Sequence, residues 1–279
     1  MTRMRCLIVC GLLLGGMSLG CRPPERKVQN LVLTGSSGMT PLLRDIGKRF
    51  EESHPDMHVD VQARGSTSGA ADARQGLADI GMVARILKPD ETMLHATPIA
   101  RDGVCFLVHR SNPVASLRDD QIVSMYTGTV SNWEKVGGPD RPITRVQLAE
   151  GQGQDKGPAL LELFLDHFKL NSTQIRADAI VQNSEQGIQA VADRPGAIGY
   201  VSCSRAEGVG ENVPIRVLPA GGITPTTEHV RDGTYPLSRP LNLVTRDEPK
   251  GLAKEFIDFA RSNAAVDLIE KHHYVPLEK

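Results

Sequence analysis

The sequence lacks an excess of charge of either sign. Its 279 residues carry 32 Lys and Arg against 33 Asp and Glu. Two of the arginines, Arg3 and Arg5, lie in a leading segment that we expect to be removed, which leaves 30 basic against 33 acidic residues and a net charge near −3. This balance is not that of a nucleic-acid-binding protein. Any anion site must therefore be built locally, not by a general positive field.

The usual motifs of catalysis and metal binding are also missing. No Lys-Ser or Lys-Thr closes the glycine-rich segment 151–157, so it is not a Walker loop. No Ser-centred nucleophile elbow occurs. The eight histidines show no metal-ligand spacing, and His272 and His273 form a polar pair near the C-terminus. We therefore expect no enzyme, no metal site and no cofactor.

Cysteine is scarce once the leading segment is set aside. Only Cys105 and Cys203 remain beyond the first 21 residues. In an exported protein these two could pair, but the sequence does not say whether their Cα atoms lie within bridging distance. A disulfide and two buried free thiols both stay open.

Residues 1–20 have the pattern of a signal peptide. A short basic region precedes an almost wholly apolar run over 6–19, which is the arrangement of a secretory signal. That run is shorter than the roughly 20 apolar residues of a membrane span. Removing these 20 residues leaves 259, enough for two lobes that each have a core.

The residues around Cys21 predict a lipid anchor. Small residues precede this cysteine, as at a bacterial lipoprotein cleavage site, although Ser18 stands where leucine is usual. We expect Cys21 to become the lipidated first residue, with an ordinary secretory signal cut nearby as the alternative. Residues 21–28 are polar and contain prolines, so they predict a tether that keeps the folded body off the membrane.

The hydrophobic pattern predicts an α/β fold. Residues 28–83 read as strand, helix, strand, helix and strand, with the second helix over 70–77. This order favours a mostly parallel sheet. Further strands are predicted over 103–108, 143–148 and 240–245, and further helices over 118–126, 158–168 and 251–260.

Three loops share one design, in which a strand leads through Gly, Ser, Thr or Gln residues into a helix. They cover 35–38, 65–69 and 151–157. A helix N-terminus presents unpaired N–H groups and the positive end of the helix dipole, and glycine allows close approach of a ligand. Three such ends converging would bind an oxyanion without much net charge. The alternative for each loop is a simple helix cap.

An ordered series of segments along nearly the whole mature chain resembles the phosphate ABC-transporter substrate-binding family. The segments are TGSSGMTPL at 34–42, GSTSG at 65–69, ADIGMVAR at 78–85, IARDGV at 99–104, SNPV at 111–114, YTGTVSNW at 126–133, PGAIGYV at 195–201, GTYPLSRPL at 233–241 and GLAKEFI at 251–257. This resemblance implies a two-lobed type II periplasmic-binding-protein fold, with a hinge and a ligand cleft between the lobes. Residues 29–107 plus 213–279 would form lobe 1, and residues 108–212 would form lobe 2.

The resemblance also implies a set of ligand-binding residues. Carried over position by position, it comprises Ser36, Ser37, Gly38, Ser66, Thr67, Ser68, Arg85, Gly151, Gln152, Gly153 and Gln154. Arg85 has the alternative of being a surface arginine. The third loop departs from the family, because the usual Arg is missing and Gln152 and Gln154 replace a serine and a threonine.

The function implied is that of an extracytoplasmic solute-binding lipoprotein that captures inorganic phosphate, or a similar oxyanion, for an ABC importer. Its partners would be the ligand, the ABC permease membrane subunits and the membrane that holds the lipid anchor, with no nucleic acid. We expect a monomer at the periplasm or cell surface. The alternatives are a different oxyanion or small polar solute on the same fold, and a sensor or scaffold lipoprotein without a transport role.

Overall fold

The computed structural model describes residues 28–149 and 157–277, which form a mixed α/β structure. The strands are β1 (Gln29–Gly35), β2 (Met57–Ala63), β3 (Ile80–Val83), β4 (His95–His109), β5 (Thr144–Leu148), β6 (Ala179–Val181), β7 (Ala197–Ser202), β8 (Ile215–Leu218), β9 (Ser238–Thr245) and β10 (Val275–Pro276). The α-helices are α1 (Thr40–Ser53), α2 (Ser66–Gln75), α3 (Asp119–Tyr126), α4 (Gly157–Phe168), α5 (Ser184–Ala192), α6 (Cys203–Glu207), α7 (Thr227–Asp232), α8 (Gly251–Ala260) and α9 (Val266–Lys271).

One strand, β4, runs through both halves of the sheet. The strand order is β2-β1-β3-β9-β4-β7-β5-β6, with β8 and β10 also paired to β4. The 15-residue β4 pairs with β9 over its first part, residues 95–103, and with β7 over 104–108. Pairing is parallel within β1, β2 and β3 and within β5, β6 and β7, whereas β9 is antiparallel to its neighbours. Two parallel units are therefore joined through antiparallel crossing strands.

The two larger hydrophobic cores lie on either side of this crossing. The first gathers buried side chains of β1, β2, β3, α1, α8 and α9, and the second gathers those of α3, α4, α5 and β7. Strand β4 contributes to both, with Ile99 and Ala100 in the first core and Phe106 in the second. The predicted two-lobed α/β fold is confirmed. Ile215 and Tyr235, which the prediction assigns to lobe 1, pack in the second core. The residue boundaries of the lobes stay a prediction.

Helix α1 shows how the sequence builds the first core. Pro41 lies in the first turn, where its missing N–H is no loss. Leu42, Ile46 and Phe50 follow at helical spacing and are fully buried. The ring of Phe50 meets that of Phe256 in α8 edge to face, with centroids 5.4 Å apart. The helix then ends before a proline, as predicted.

Aromatic rings dominate the second core, although aromatic residues are only 4% of the sequence. Phe164 of α4 stacks on Tyr200 with centroids 4.6 Å apart and meets Tyr126 at 4.9 Å. The indole N–H of the fully buried Trp133 donates to the carbonyl of Gly196 at 2.8 Å. The rings of Tyr126 and Tyr200 therefore fix α4 in the second core through Phe164.

The thiols of Cys105 and Cys203 are both free and buried. Burial, followed by a hydrogen bond with Cys105, raises the pKa of the Cys203 thiol. Among residues 28–149 and 157–277, every helix is too short or too polar to span a bilayer.

The position of α4 depends on Phe164, so its removal tests the second core. Phe164→Ala leaves a cavity among the four rings of Phe106, Tyr126, Phe168 and Tyr200, and we expect it to lower the free energy of unfolding by about 3–5 kcal/mol. Urea denaturation followed by circular dichroism measures this loss. Ile180→Ala is the control, because Ile180 is 65% exposed and surface changes stay within about 0.5 kcal/mol. Equal effects of the two substitutions would contradict this account.

Candidate functional site

The first and second predicted loops lie side by side at the carboxyl end of the parallel strands. The carbonyl of Gly35, at the end of β1, accepts hydrogen bonds from the N–H groups of Arg64 and Gly65 at 2.8 and 2.7 Å. The N–H of Ser36 donates to the carbonyl of Met82 in β3 at 2.9 Å. Backbone hydrogen bonds therefore hold the two loops and the end of β3 together.

Glycine allows this close approach. A Cβ on Gly69 in α2 would lie 2.7 Å from both the Cα of Gly35 and the carbonyl oxygen of Thr34. Gly65 has a φ of +86°, in the left-handed region that glycine adopts readily. The chain turns at Gly65 and enters α2 directly at Ser66.

The residues Ser66, Thr67 and Ser68 form the first turn of α2. The helix was predicted over 70–77 and in fact covers 66–75, because small polar residues in a first turn give no apolar periodicity to detect. N–H groups in a first turn have no acceptor within their own helix, and the helix dipole adds partial positive charge there. Three consecutive backbone donors are thus available at this helix end.

A cavity of about 300 Å³ lies over the N-terminus of α2. Residues of the first lobe line one wall, and α4 of the second lobe supplies the opposite wall. The lining residues are Arg64, Gly65, Ser66, Thr67, Ser68, Arg85, Lys88, Glu162 and Asp166. The structure thus brings four predicted site residues, Ser66, Thr67, Ser68 and Arg85, into one cavity between the lobes.

The hydroxyl groups of the second loop differ in their surroundings. Ser66 is 6% exposed, and its Oγ accepts a hydrogen bond from the N–H of Ala84 at 3.2 Å. Because a hydroxyl both donates and accepts, its hydrogen remains available to a ligand. Thr67 and Ser68 are exposed to the cavity, and Thr67 Oγ1 accepts a long hydrogen bond from Lys88 Nζ at 3.5 Å.

The predicted residues of the first loop adjoin this cavity but do not line it. Ser36 is buried, and its carbonyl accepts from Thr40 Oγ1 at 3.1 Å. Ser37 is exposed. The carbonyl of Gly38 accepts a hydrogen bond from the hydroxyl of Tyr274 at 2.8 Å. Tyr274 was not identified from the sequence, because a lone tyrosine near the C-terminus does not indicate a contact with the first loop.

Arg85 is held in a bidentate ion pair. Its guanidinium donates to Glu91 at 2.6 and 2.8 Å, and Glu91 is 5% exposed. The hydrogen bonds to Glu91 raise the pKa of Arg85, and the nearby carboxylates of Glu162 and Asp166 raise it further. The hydrogen bond from Arg85 lowers the pKa of Glu91 in turn. Arg85 therefore faces the cavity with its charge largely balanced by Glu91.

A second arginine, Arg239, links the crossing strands to α4. It lies in β9 opposite Asp102 of β4, with Nη2 and Oδ2 3.6 Å apart, and the two residues are 4% and 0% exposed. Its Nη1 also donates to Glu162 Oε2 at 3.4 Å. Arg239 belongs to the GTYPLSRPL segment, but nothing in that segment indicates a contact with α4.

Gly151, Gln152, Gly153 and Gln154 lie outside the described residues, and so does Cys21. The described part of the chain contains no cluster of three or more His, Cys, Asp or Glu side chains arranged to hold a metal ion.

A two-lobed sheet with a helix N-terminus opening into the cavity between the lobes is the arrangement of a solute-binding protein. The chain belongs to the PBP superfamily, since residues 22–264 match the PBP superfamily domain. The family resemblance predicted from the sequence is thereby confirmed.

The relatives of this chain include phosphate-binding proteins. It is 28% identical over 260 residues to the phosphate-binding protein PstS of Bacillus subtilis (strain 168), covering 91% of this chain and 82% of that protein. The crystal structure of an ABC-type phosphate transport receptor from Vibrio cholerae matches with a TM-score of 0.75 and 27% identity, over 88% of this chain and 99% of that one. The crystal structure of a phosphate ABC transporter substrate-binding protein with bound phosphate, from Clostridium perfringens, matches with a TM-score of 0.61 and 28% identity. This match covers 90% of this chain and 100% of that one.

The close contact at Gly69 predicts that no larger residue is tolerated at this position. Gly69→Ala would push a methyl group into the backbone of β1, so α2 must shift, and we expect the free energy of unfolding to fall by about 1–3 kcal/mol. Thermal unfolding measures the change. Gly208→Ala is the matched control, because its Cβ would meet nothing nearer than 3.8 Å. A Gly69→Ala protein as stable as the control would contradict the close approach.

The Arg85–Glu91 pair predicts a dependence of stability on acid. Because the folded-state pKa of Glu91 lies below its ordinary 4.5, the pair stabilises the fold above pH 4.5 and is lost as the pH falls through the lowered value. We expect Glu91→Gln to be less stable at neutral pH and to lose less stability on acidification. Urea denaturation between pH 3 and 7 measures this. Glu255→Gln, an exposed change in α8, should keep the acid dependence of the unmodified protein.

Proposed function

We propose that this protein is an extracytoplasmic solute-binding protein that captures inorganic phosphate or a similar oxyanion and delivers it to the membrane subunits of an ABC importer. The observation that carries the proposal is the N-terminus of α2 opening into a cavity lined by hydroxyl groups and basic side chains. Membership of the PBP superfamily and likeness to proteins named for phosphate binding support it. The role is one of binding, not catalysis.

The donors at α2 are of the right kind and number for an oxyanion. Backbone N–H groups of Ser66, Thr67 and Ser68 and the buried Ser66 hydroxyl point to a ligand that accepts several hydrogen bonds. Each hydrogen bond to a charged group contributes about 1.5–3 kcal/mol, and a micromolar complex has a binding free energy of about 8 kcal/mol. Three or four such bonds contribute about 4.5–12 kcal/mol, a range that includes this value before the cost of association is subtracted.

The lobes close around the ligand in this proposal. Lobe 1 comprises residues 29–107 and 213–279, and lobe 2 comprises residues 108–212, with β4 and β9 crossing between them. The second wall of the site would come from α4 and from the third loop, including Gly151, Gln152, Gly153 and Gln154. A ligand that contacts both walls favours the closed form by its differential affinity, and the permease would recognise that form.

Attachment to a membrane completes the proposal. Residues 1–20 would be removed as a signal peptide and Cys21 lipidated, with residues 21–28 as the tether. The protein would then act as a monomer in the periplasm or at the cell surface. Metabolic labelling with a radioactive fatty acid, lost in Cys21→Ala, tests the anchor.

Isothermal titration calorimetry with inorganic phosphate tests the ligand. We expect a one-to-one complex, weakened at least tenfold by Ser66→Ala, because one charged hydrogen bond is lost, worth about 1.5–3 kcal/mol. Ser116→Ala is the matched control, since Ser116 is exposed and lies outside the cavity. Absence of heat with phosphate, while sulfate or another anion binds, would show that phosphate is not the ligand.

A further inference from the structure

The two walls of the cavity carry charges of opposite sign. The wall from the first lobe holds Arg64, Arg85 and Lys88 beside the N-terminus of α2. The wall from α4 holds Glu162 and Asp166, which lie on one face because they are four residues apart in a helix. Carboxylates repel a fully ionised anion and attract a cationic group, so two of them in the lining favour a ligand that carries both charges.

The carboxylates of α4 have capacity left for a ligand. Glu162 is half exposed and meets Arg239, itself paired with Asp102, at 3.4 Å. Within the described part of the chain, Asp166 has no ion-pair or hydrogen-bond partner, and it is exposed. Their field reaches across the cavity, since both raise the pKa of Arg85 after the larger effect of its hydrogen bonds to Glu91.

The basic wall is equally available to an anion. Lys88 makes only the 3.5 Å contact with Thr67 through its ammonium group among the described residues. Arg64 approaches Asp72 no closer than 3.9 Å and is 57% exposed. An oxyanion at α2 would gain these cations as partners, but an anion filling the whole cavity would also face Glu162 and Asp166.

The size of the cavity agrees with a ligand longer than inorganic phosphate. Its volume of about 300 Å³ is at the lower end of the roughly 300–1,000 Å³ typical of small-molecule pockets. Inorganic phosphate has only five non-hydrogen atoms. There is room for a short chain between an oxyanion on one wall and a second group on the other.

We propose that the cavity accepts a phosphonate or phosphate monoester that carries a primary ammonium group on a short alkyl chain. The oxyanion lies against Ser66, Thr67 and Ser68, and the ammonium group lies between Glu162 and Asp166. This inference rests on the proposed function, because it places the oxyanion at the same helix end. It makes the α4 wall a determinant of ligand choice.

Calorimetry on the full chain with two matched probes tests the assignment. In 2-aminoethylphosphonate an ammonium group occupies the place of the terminal methyl group of n-propylphosphonate, and the two are otherwise alike. We expect the amino compound to bind at least tenfold more tightly, which corresponds to about 1.4 kcal/mol. The double variant Glu162→Gln/Asp166→Asn should bring the ratio of the two affinities close to one. Glu255→Gln in α8 should leave the preference intact.

Inorganic phosphate, titrated in parallel, separates the inference from the proposed function. If phosphate binds and the amino compound shows no preference, the inference is overturned and phosphate capture stands. A preference that survives in the double variant overturns the role of the two carboxylates. Equal weakening of all three ligands in that variant also overturns it, because the carboxylates would then serve closure through Lys88 and Arg64. If none of the three ligands binds, both the inference and the proposed function fail.

Discussion

The contact between bare backbones at the start of α2 is the constraint on which the site depends. Gly35, Gly69 and Gly81 lie so close that a Cβ on Gly81 would be 2.4 Å from the carbonyl oxygen of Gly69. Without side chains between them, α2 can sit directly on the ends of β1 and β3. That position aims the first-turn N–H groups of α2 into the cleft.

The acidic wall depends on a different kind of support. Stacked rings hold α4 in the second core, through Phe164 and Tyr200. From there Glu162 reaches Arg239 on the crossing strand β9. The same strand pairs with β3 in the first lobe and with β4 at the crossing. The helix that faces the donors of α2 is thus tied through Arg239 to the antiparallel strands at the crossing.

Patterns of apolar residues were sufficient to predict the fold class and most elements. Helices such as α1 and α8 bury one face, and the apolar residues of that face recur at helical spacing in the sequence. The start of α2 was missed because Ser66, Thr67 and Ser68 are polar, and polar first turns have no such periodicity. The family resemblance supplied the second loop and Arg85, which the structure brings into one cavity.

Contacts between distant side chains could not be predicted. Glu162 and Asp166 read as the solvated face of an amphipathic helix, and only the packing of α4 turns that face toward α2. Arg239 and Glu162 are 77 residues apart, so no local pattern links them. The pairing of Arg85 with Glu91 changes what the arginine offers a ligand, and neither residue type signals a partner by itself.

The hydrogen bond from Tyr274 to Gly38 has a consequence for the order of events during folding. It closes a separation of 236 residues, and contacts of such high sequence separation form late because they require the longest loop closure. The hydroxyl of Tyr274 can reach Gly38 only after nearly the whole polypeptide has been synthesised. A chain that stopped short of Tyr274 would lack this hydrogen bond beside the cavity.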